Sequence, residues 1–425
     1  MPRDEQATAE LESWRIYVDT GGTFTDALGV GPDGRRWRGK LLSSEDAPRR
    51  AVRELTGVAE GRGALPPVQM RLATTRGTNA LLEENGAEVV FFVTEGFGGL
   101  LRIGDQRRPD LFALNVFKPA PLHAEVVEVP GRLDSQGNLI QSLRTELLKQ
   151  KADELVARGR RVAAVMLLHS YRNPAHELAV KDVLLECGFE YVACSCQLAP
   201  FIKAVPRAET TVVDAYLGPL MTEYLDGVNE ALSGGSLQVM NSAGGLVSRD
   251  YYRPKDSLLS GPAAGVVGAA TVGKIAGLER LIAFDMGGTS TDVSRFDGDS
   301  NYCQTHQVGR AHLMAPALQI ETVAAGGGSI CGIEEGFLFV GPQSAGAEPG
   351  PACYGVGGPL TITDINLLLG RLDLDSFNLP VFPDAAETRF EEVHSKHCGT
   401  REELLLGFLA LANERMASNI RKISV

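Results

Sequence analysis

The chain has 425 residues, 44% hydrophobic and 22% charged, with 41 Lys and Arg against 53 Asp and Glu for a net charge of −12. That length holds two or three domains of about 150 residues, and an acidic chain without a basic block argues against a partner bound through a nucleic-acid phosphate backbone. No apolar run approaches the roughly 20 residues of a membrane helix, the polar, acidic start MPRDEQATAELESW is the opposite of a signal peptide, and the reading is a cytoplasmic protein with neither nucleic-acid nor membrane partners.

Residues 1–14 read as a flexible N-terminus. RIYVD (15–19) is a short apolar run ending in Asp, with Gly21-Gly22 next; TFTDALGVG alternates up to a turn at Pro32-Asp33-Gly34-Arg35, and RRWRGKLLSS follows. This pattern predicts strand, tight turn, strand, hairpin, strand. RLATT, RGTNALLEENG and AEVVFFVT then read as strand, helix, strand, and RVAAVMLL (161–168) as a buried strand. Asn173 and Pro174 are the expected N-cap and first residue of the helix AHELAVKDVLLECG, which stops at Gly188 before the strand EYVACS. SGPAAGVVGAA (260–270) opens a helix at Gly261-Pro262. RLIAFD is a strand, Gly287-Gly288 a turn, and TSTDVSRFDGDSNY strand plus turn. At the far end, NERMASNIRKISV carries a helical pattern to about Arg421-Lys422, after which ISV reads as the start of a strand. Strands alternating with helices make this an α/β chain with helices on the faces of its sheets.

Two octets stand out. Residues 19–26 are DTGGTFTD and residues 285–292 are DMGGTSTD, identical at six positions and with matching strands around them. One such octet is as much a tight turn as a phosphate loop; two copies point to phosphate. The Asp ends a buried strand, where a carboxylate needs a positive partner, and Mg²⁺ accepts one or two carboxylates beside phosphate oxygens. The paired glycines let backbone N–H groups approach an anion. Thr23 with Thr25, and Thr289 with Thr291, are spaced to share a strand face. The expectation is a two-jawed nucleotide clamp, with Asp19 and Asp285 holding one Mg²⁺. Neither G-x-x-x-x-G-K-[ST] nor a G-x-G-x-x-G between strand and helix occurs.

Other glycine loops are less specific. AAGGGSI places Gly326, Gly327 and Gly328 as an anion nest. The start of SGPAAGVVGAA either faces a phosphate or lets its helix pack closely. AGAEPGPACYGVGG (345–358) reads as a surface loop. Thr74, Thr75, Arg76, Thr78 and Asn79 are helix caps or substrate-side polar groups. The seven cysteines are odd in number and scattered, so they read as ordinary buried thiols, and His394 with His397-Cys398 as a solvated helix end rather than a metal cluster.

The octets, with ATTRGTNALLEENGA, VTEGFGGLLRIGDQRRPDLFAL, LSGPAAGVVGAA, AAGGGSI and AGAEPGPACYGVGGPLTITDINLLLGRL, resemble the hydantoinase A / 5-oxoprolinase family, in order from about Arg15 to Val425. That family includes nucleotide-binding subunits of acetone and acetophenone carboxylases. The resemblance implies two ribonuclease-H-like lobes of the actin, hexokinase and heat-shock chaperone ATPase superfamily. The N-terminal lobe would span 15–200 and the second 201–425, each with one phosphate hairpin. It implies ATP and Mg²⁺, with Asp19 and Asp285 as catalytic and metal-binding residues. Gly21, Gly22, Thr23 and Thr25 would form the first phosphate loop, and Gly287, Gly288, Thr289, Thr291 and Asp292 the second. It further implies phosphorylation of the carbonyl oxygen of a hydantoin, 5-oxoproline or related lactam, with ring opening completed by a hydantoinase B-like partner in a hetero-oligomer. Thr74, Thr75, Arg76, Thr78 and Asn79 match a threonine-rich stretch on the substrate side. Two alternatives are a ketone carboxylase subunit and a truncated, non-catalytic module that only assembles with a partner. Family members continue past the equivalent of Val425 into a glycine-rich segment similar to the superfamily's adenosine-contacting motif, so the chain reads as the N-terminal portion of a longer protein with its second lobe incomplete.

Overall fold

The computed structural model describes residues 13–424 apart from 23, 59–64, 106–111, 113, 116–117, 233–234, 347, 375–379 and 397. The chain divides into two compact units, Met1–Gly261 with Tyr302–Ala317, and Pro262–Asn301 with Leu318–Val425.

The first unit is built around β1 (Trp14–Thr20), whose alternation buries Ile16, Val18 and Thr20 and leaves Arg15 and Asp19 exposed. β2 (Phe24–Val30) returns antiparallel, pairing Asp19 with Asp26, and β3 (Arg36–Leu42) follows it. Helix α1 (Ala47–Thr56) lays Ala51, Val52 and Leu55 on this sheet. Leu55 seats over Gly29, where an added Cβ would come within 3.3 Å of its side chain. β4 (Val68–Thr74) closes the other edge of β1 in parallel, from Trp14 opposite Val68 to Thr20 opposite Thr74, and leads into α2 (Arg76–Leu82). A parallel connection needs a long crossover, and α1 lies within it.

A second sheet holds β5 (Val89–Thr94), β6 (His123–Val129), β7 (Val162–Met166) and β8 (Tyr191–Cys194) in the order β8-β7-β5-β6, all parallel. Every residue of β5 and β7 is buried, as expected of parallel strands covered on both faces. Helix α3 (Thr145–Ala157) precedes β7, and α4 (Ala175–Glu186) follows it. α4 starts one residue later than the sequence suggests: Pro174 is its N-cap, and the Asn173 side chain accepts the Ala175 N–H at 3.1 Å. The buried Glu177 carboxylate accepts N–H groups of Leu167 and Cys196 and the Ser195 hydroxyl. The long helix α5 (Ala204–Glu230) buries Arg207, which donates to the carbonyls of Phe201 and Leu167. β9 (Ser236–Met240) and β10 (Leu246–Ser248) then complete the first sheet, β10-β9-β4-β1-β2-β3.

The unit boundary falls inside α6 (Ser260–Ile275). In the second unit β11 (Arg280–Met286) and β12 (Thr291–Asp297) repeat the β1–β2 hairpin in the same register, with Asp285 opposite Asp292. The third strand of the repeat is split. β13 (Asp299–Ser300) pairs with the far end of β12, and β14 (Glu321–Val323) with its near end. The residues between them include Tyr302–Ala317, which fold with the first unit. The insertion hides the third strand from a linear reading. β15 (Ser329–Glu334) and β16 (Phe337–Ser344) form a separate hairpin. Helices α7 (Ile362–Leu368), α8 (Pro383–His394) and α9 (Arg401–Ser424) gather Ile365, Phe390, Leu404 and Phe408 into this unit's core.

α9 runs through Ser424, so the expected strand at ISV is not formed up to that residue; Val425 lies outside the described residues. Leu405, Phe408, Ala412, Met416 and Ile423 recur at helical spacing and are buried, and this period outweighs the β-branched Ile423. The loop 345–358 is not a plain surface loop either. The buried carboxylate of Asp364, at the start of α7, accepts N–H groups of Ala352, Cys353 and Thr361. Of the cysteines, Cys194, Cys331 and Cys353 are buried, Cys187, Cys196 and Cys303 half-buried, and Cys398 exposed. His394 stacks on Phe390 and meets the Gly399 carbonyl; His397 lies outside the described residues. Among the described residues no helix is long and apolar enough to cross a membrane.

Candidate functional site

Each unit carries one copy of the loop, and the two are built alike. In the first, the Gly21 N–H donates to the Phe24 carbonyl at 2.9 Å; in the second, the Gly287 N–H donates to the Ser290 carbonyl at 2.9 Å. Asp19 and Asp285, next to last in their strands, are exposed rather than buried, so the cost of burying a carboxylate does not fall on them. It falls on Asp292, half-buried across the hairpin. Burial holds its carboxyl above the usual carboxylate range, with the Asp285 charge acting the same way against a hydrogen bond from the Thr322 hydroxyl at 2.6 Å. The first copy differs here: Asp26 receives the Lys40 ammonium at 2.9 Å on both oxygens.

The threonines divide. Thr25 and Thr291 are fully buried. Thr25 meets the Ser43 hydroxyl at 3.1 Å while Ser43 donates to the Gly21 carbonyl, and Thr291 donates to the Ala325 carbonyl at 2.6 Å. They peg each loop to the neighbouring segment and are not the phosphate-facing hydroxyls the spacing suggested. Thr289 is exposed, near the Ser344 hydroxyl. It sits in the turn, where the two-residue strand period does not apply. Thr23 lies outside the described residues.

The Gly326–Gly328 turn is a buttress rather than an open nest. Gly327 N–H donates to the Gly287 carbonyl at 3.0 Å, Gly328 N–H to the Gly288 carbonyl at 2.6 Å, and Gly326 N–H to the Ser329 hydroxyl. A Cβ on Gly326 would fall 2.7 Å from the Gly287 oxygen and one on Gly328 2.9 Å from the Gly288 oxygen, so only glycine fits. The outer side of Gly288 is open, with nothing within 4 Å of a Cβ placed there.

Beside the first loop lies a cavity of about 360 Å³, where Gly21 and Gly22 meet Thr75, Arg76, Asn79 and Tyr224. Arg76 pairs with Glu45 and lies 5.1 Å from the Tyr224 ring centroid. Thr75 caps onto the Thr20 carbonyl through both its N–H and its hydroxyl. Thr74 and Thr78 do not reach the cavity. Thr74 is buried and bonded to the Ser260 hydroxyl, and Thr78 donates to the Leu258 carbonyl. The start of α6 thus docks on the end of β4, and a Cβ on Gly261 would be 4.0 Å from an Asp19 oxygen.

A sequence profile described as Hydantoinase/oxoprolinase matches residues 207–425, and one described as Hydantoinase/oxoprolinase N-terminal region matches residues 15–188. The chain belongs to the hydantoinase/oxoprolinase family. It is 40% identical to 5-oxoprolinase 1 of Arabidopsis thaliana over 96% of its own length and 37% of that protein. It is 30% identical to caprolactamase subunit alpha of Pseudomonas jessenii over 97% of its length and 63% of that subunit. The curated 5-oxoprolinases it matches are thus much longer than the chain. Among solved structures, the ATP-dependent caprolactamase from Pseudomonas jessenii superposes with a TM-score of 0.78 at 31% identity, covering 96% of this chain and 63% of that one. Nucleotide-free acetone carboxylase superposes at 0.80 with 23% identity, covering 96% and 62%. The chain therefore shares a mixed α/β fold with ATP-dependent relatives.

Within this family member the sequence-derived candidates Gly21, Gly22, Thr75, Arg76 and Asn79 come together at one cavity. The residues missed are Ser43, Glu45 and Tyr224. Ser43 and Glu45 follow β3 in KLLSSE without a motif, and Tyr224 lies deep in α5, where an aromatic at helical spacing reads as core.

Proposed function

We propose that the chain is the ATP-using part of a cyclic-amide hydrolase, in which the carbonyl oxygen of a lactam or hydantoin is phosphorylated before ring opening. The observation that carries this is the duplicated hairpin, one per unit, with the same hydrogen-bonded glycine turn and an exposed Asp at the same place. In this reading both loops serve one nucleotide, as in two-lobed ATPases of the actin and hexokinase type. The open flank of Gly288 and the cavity at Gly21–Gly22 fit the close approach of a phosphate. Asp19 and Asp285 would hold Mg²⁺, which needs only one or two carboxylates beside phosphate and water. MgATP supplies the phosphoryl group that makes the amide oxygen a good leaving group. Gly21, Gly22, Gly287, Gly288 and Thr289 orient the phosphates. Thr75, Arg76 and Asn79 supply polar groups to the substrate side of the first loop. Buried Thr25 and Thr291 and the Gly326–Gly328 turn keep the loops rigid, so that little reorganisation is needed as charge develops.

The lactam reading takes precedence over a ketone carboxylase because relatives at 30–40% identity include 5-oxoprolinases and a caprolactamase subunit, whereas the acetone carboxylase likeness is one of fold. A partner subunit for ring opening is supported by the caprolactamase relative being a subunit alpha. Calorimetric titration with MgATP is the test: one nucleotide per chain, with binding lost in both Asp19→Ala and Asp285→Ala. Unchanged binding in both variants would overturn the reading. With a partner subunit present, phosphate release that depends on an added lactam and not on a ketone separates the two substrate classes.

A further inference from the structure

The cavity beside the first loop holds more polar groups than its hydrogen bonds use. Thr20 and Tyr224 are each 7% exposed, and neither the Thr20 Oγ1 nor the Tyr224 hydroxyl has a hydrogen-bond partner. The Arg76 Nε is buried and unpartnered as well. These residues line the same cavity as Gly21 and Gly22. A buried polar group left unpaired costs stability, so several at one cavity point to a ligand that completes them. Burial pushes the Tyr224 phenol up, against the neighbouring Thr20 and Thr74 hydroxyls and the Arg76 charge, which keeps it protonated and able to donate. Those hydroxyls lie near the phenol, yet neither closes a hydrogen bond with it.

Arg76 specifies the kind of ligand. The Nε–H of a guanidinium and one N–H of its neighbouring amino group run parallel, and together they match two oxygens of a carboxylate or phosphate. Here Nη2 donates to the Glu45 carboxylate while Nε goes unused, so Glu45 fills only half the fork. Glu45 is also the replaceable member of the pair. Its side chain is 74% exposed against 27% for Arg76, and so exposed an ion pair is worth little. The other carboxylate lining the cavity, Glu83, accepts the Asn85 amide at 2.9 Å. We infer that Arg76, Tyr224 and Thr20 form an oxyanion seat for which Glu45 is the built-in placeholder. A ligand oxyanion displaces Glu45, takes both N–H groups of the fork and accepts the Tyr224 hydroxyl, with Thr20 Oγ1 completing the set. The oxyanion is a carboxylate carried by the cyclic amide or the phosphoryl group passing to the amide oxygen; both present the paired oxygens that the fork requires. The inference deepens the proposed function and rests on it for the identity of the ligand.

The experiment uses the full 425-residue chain without nucleotide. Inorganic phosphate, 5-oxoproline and pyrrolidinone, which is the same ring without the carboxylate, are titrated calorimetrically into the parent, Glu45→Gln, Arg76→Gln and Tyr224→Phe. Glu45→Gln is expected to tighten an oxyanion probe about tenfold, Arg76→Gln to weaken it about tenfold or more, and Tyr224→Phe to weaken it about fivefold. Tighter 5-oxoproline with pyrrolidinone unmoved assigns the seat to a carboxylate on the substrate; tighter inorganic phosphate alone assigns it to the phosphoryl group. The gain in Glu45→Gln is the deciding readout, since a misfolded variant loses affinity rather than gaining it. The inference is overturned if Glu45→Gln leaves both oxyanion probes unchanged or weakens them, or if no probe binds the folded chains. MgATP titrated into the same proteins separates the two claims. MgATP binding without a Glu45 effect removes the seat alone, and a Glu45 effect without MgATP binding removes the nucleotide reading alone.

Discussion

At the residue scale, the repeat is close in backbone and uneven in charge. Asp26 and Asp292 hold the same hairpin position, yet one faces an ammonium and the other a hydroxyl. The consequence can be measured. Because its folded pKa is raised, Asp292 contributes stability below its unfolded value of about 3.9 and loses it as pH rises through the folded value. Asp292→Asn removes that loss. Its melting temperature should match the parent near pH 3, below the unfolded value, and exceed it at pH 7. An equal difference at both pH values would show that the Asp292 charge is not responsible. Thr25 and Thr291 make the complementary point: a motif predicts which residues matter at a loop, while burial decides whether a hydroxyl faces a ligand or holds the backbone.

At the element scale, the second loop is held from behind by the Gly326–Gly328 turn, and its rigidity depends on two carbonyl contacts. Gly328→Ala forces a Cβ against the Gly288 oxygen and the Ser344 hydroxyl, both at 2.9 Å. The cost expected is about 1–3 kcal/mol, seen as a lower melting temperature together with weaker MgATP binding. Gly288→Ala, with open space at its Cβ, should keep the parent melting temperature, so that any loss of nucleotide in that variant reports on the loop surface alone. A Gly328→Ala protein with parent stability and parent binding would remove the turn from the site. The three-glycine run was legible in the sequence as a place of close backbone approach. That the approaching group is the other loop's backbone depends on a contact between segments about 40 residues apart, which no local pattern specifies.

At the scale of the whole molecule, the two units have unequal cores. The first has two sheets, one of them with β5 and β7 buried on both faces, whereas the second leaves one face of β11 in solvent. Both tryptophans, Trp14 and Trp37, lie in the first unit with ring centroids 4.8 Å apart. Their fluorescence reports that unit alone, while far-ultraviolet circular dichroism reports both. On heating, the dichroism should begin to fall several degrees before the fluorescence changes, because less apolar area is buried in the second unit. Coincident transitions would show one cooperative body instead.

The sequence by itself determined the strands RIYVD, AEVVFFVT and RLIAFD, the glycine turns after Asp19 and Asp285, the alternation of strand and helix, and the family. These rest on side-chain period and backbone permissiveness, both local along the chain. Only the tertiary structure decided that the third strand of the second hairpin is split around an insertion, that Thr25 and Thr291 face inward, and that Tyr224 joins Arg76 at the cavity. It also decided that β1 is central in its sheet while β11 pairs only with β12 among the described residues. Each of these turns on which distant segment arrives at a given strand edge or face, and burial and hydrogen-bond partners are properties of that arrival rather than of the residue.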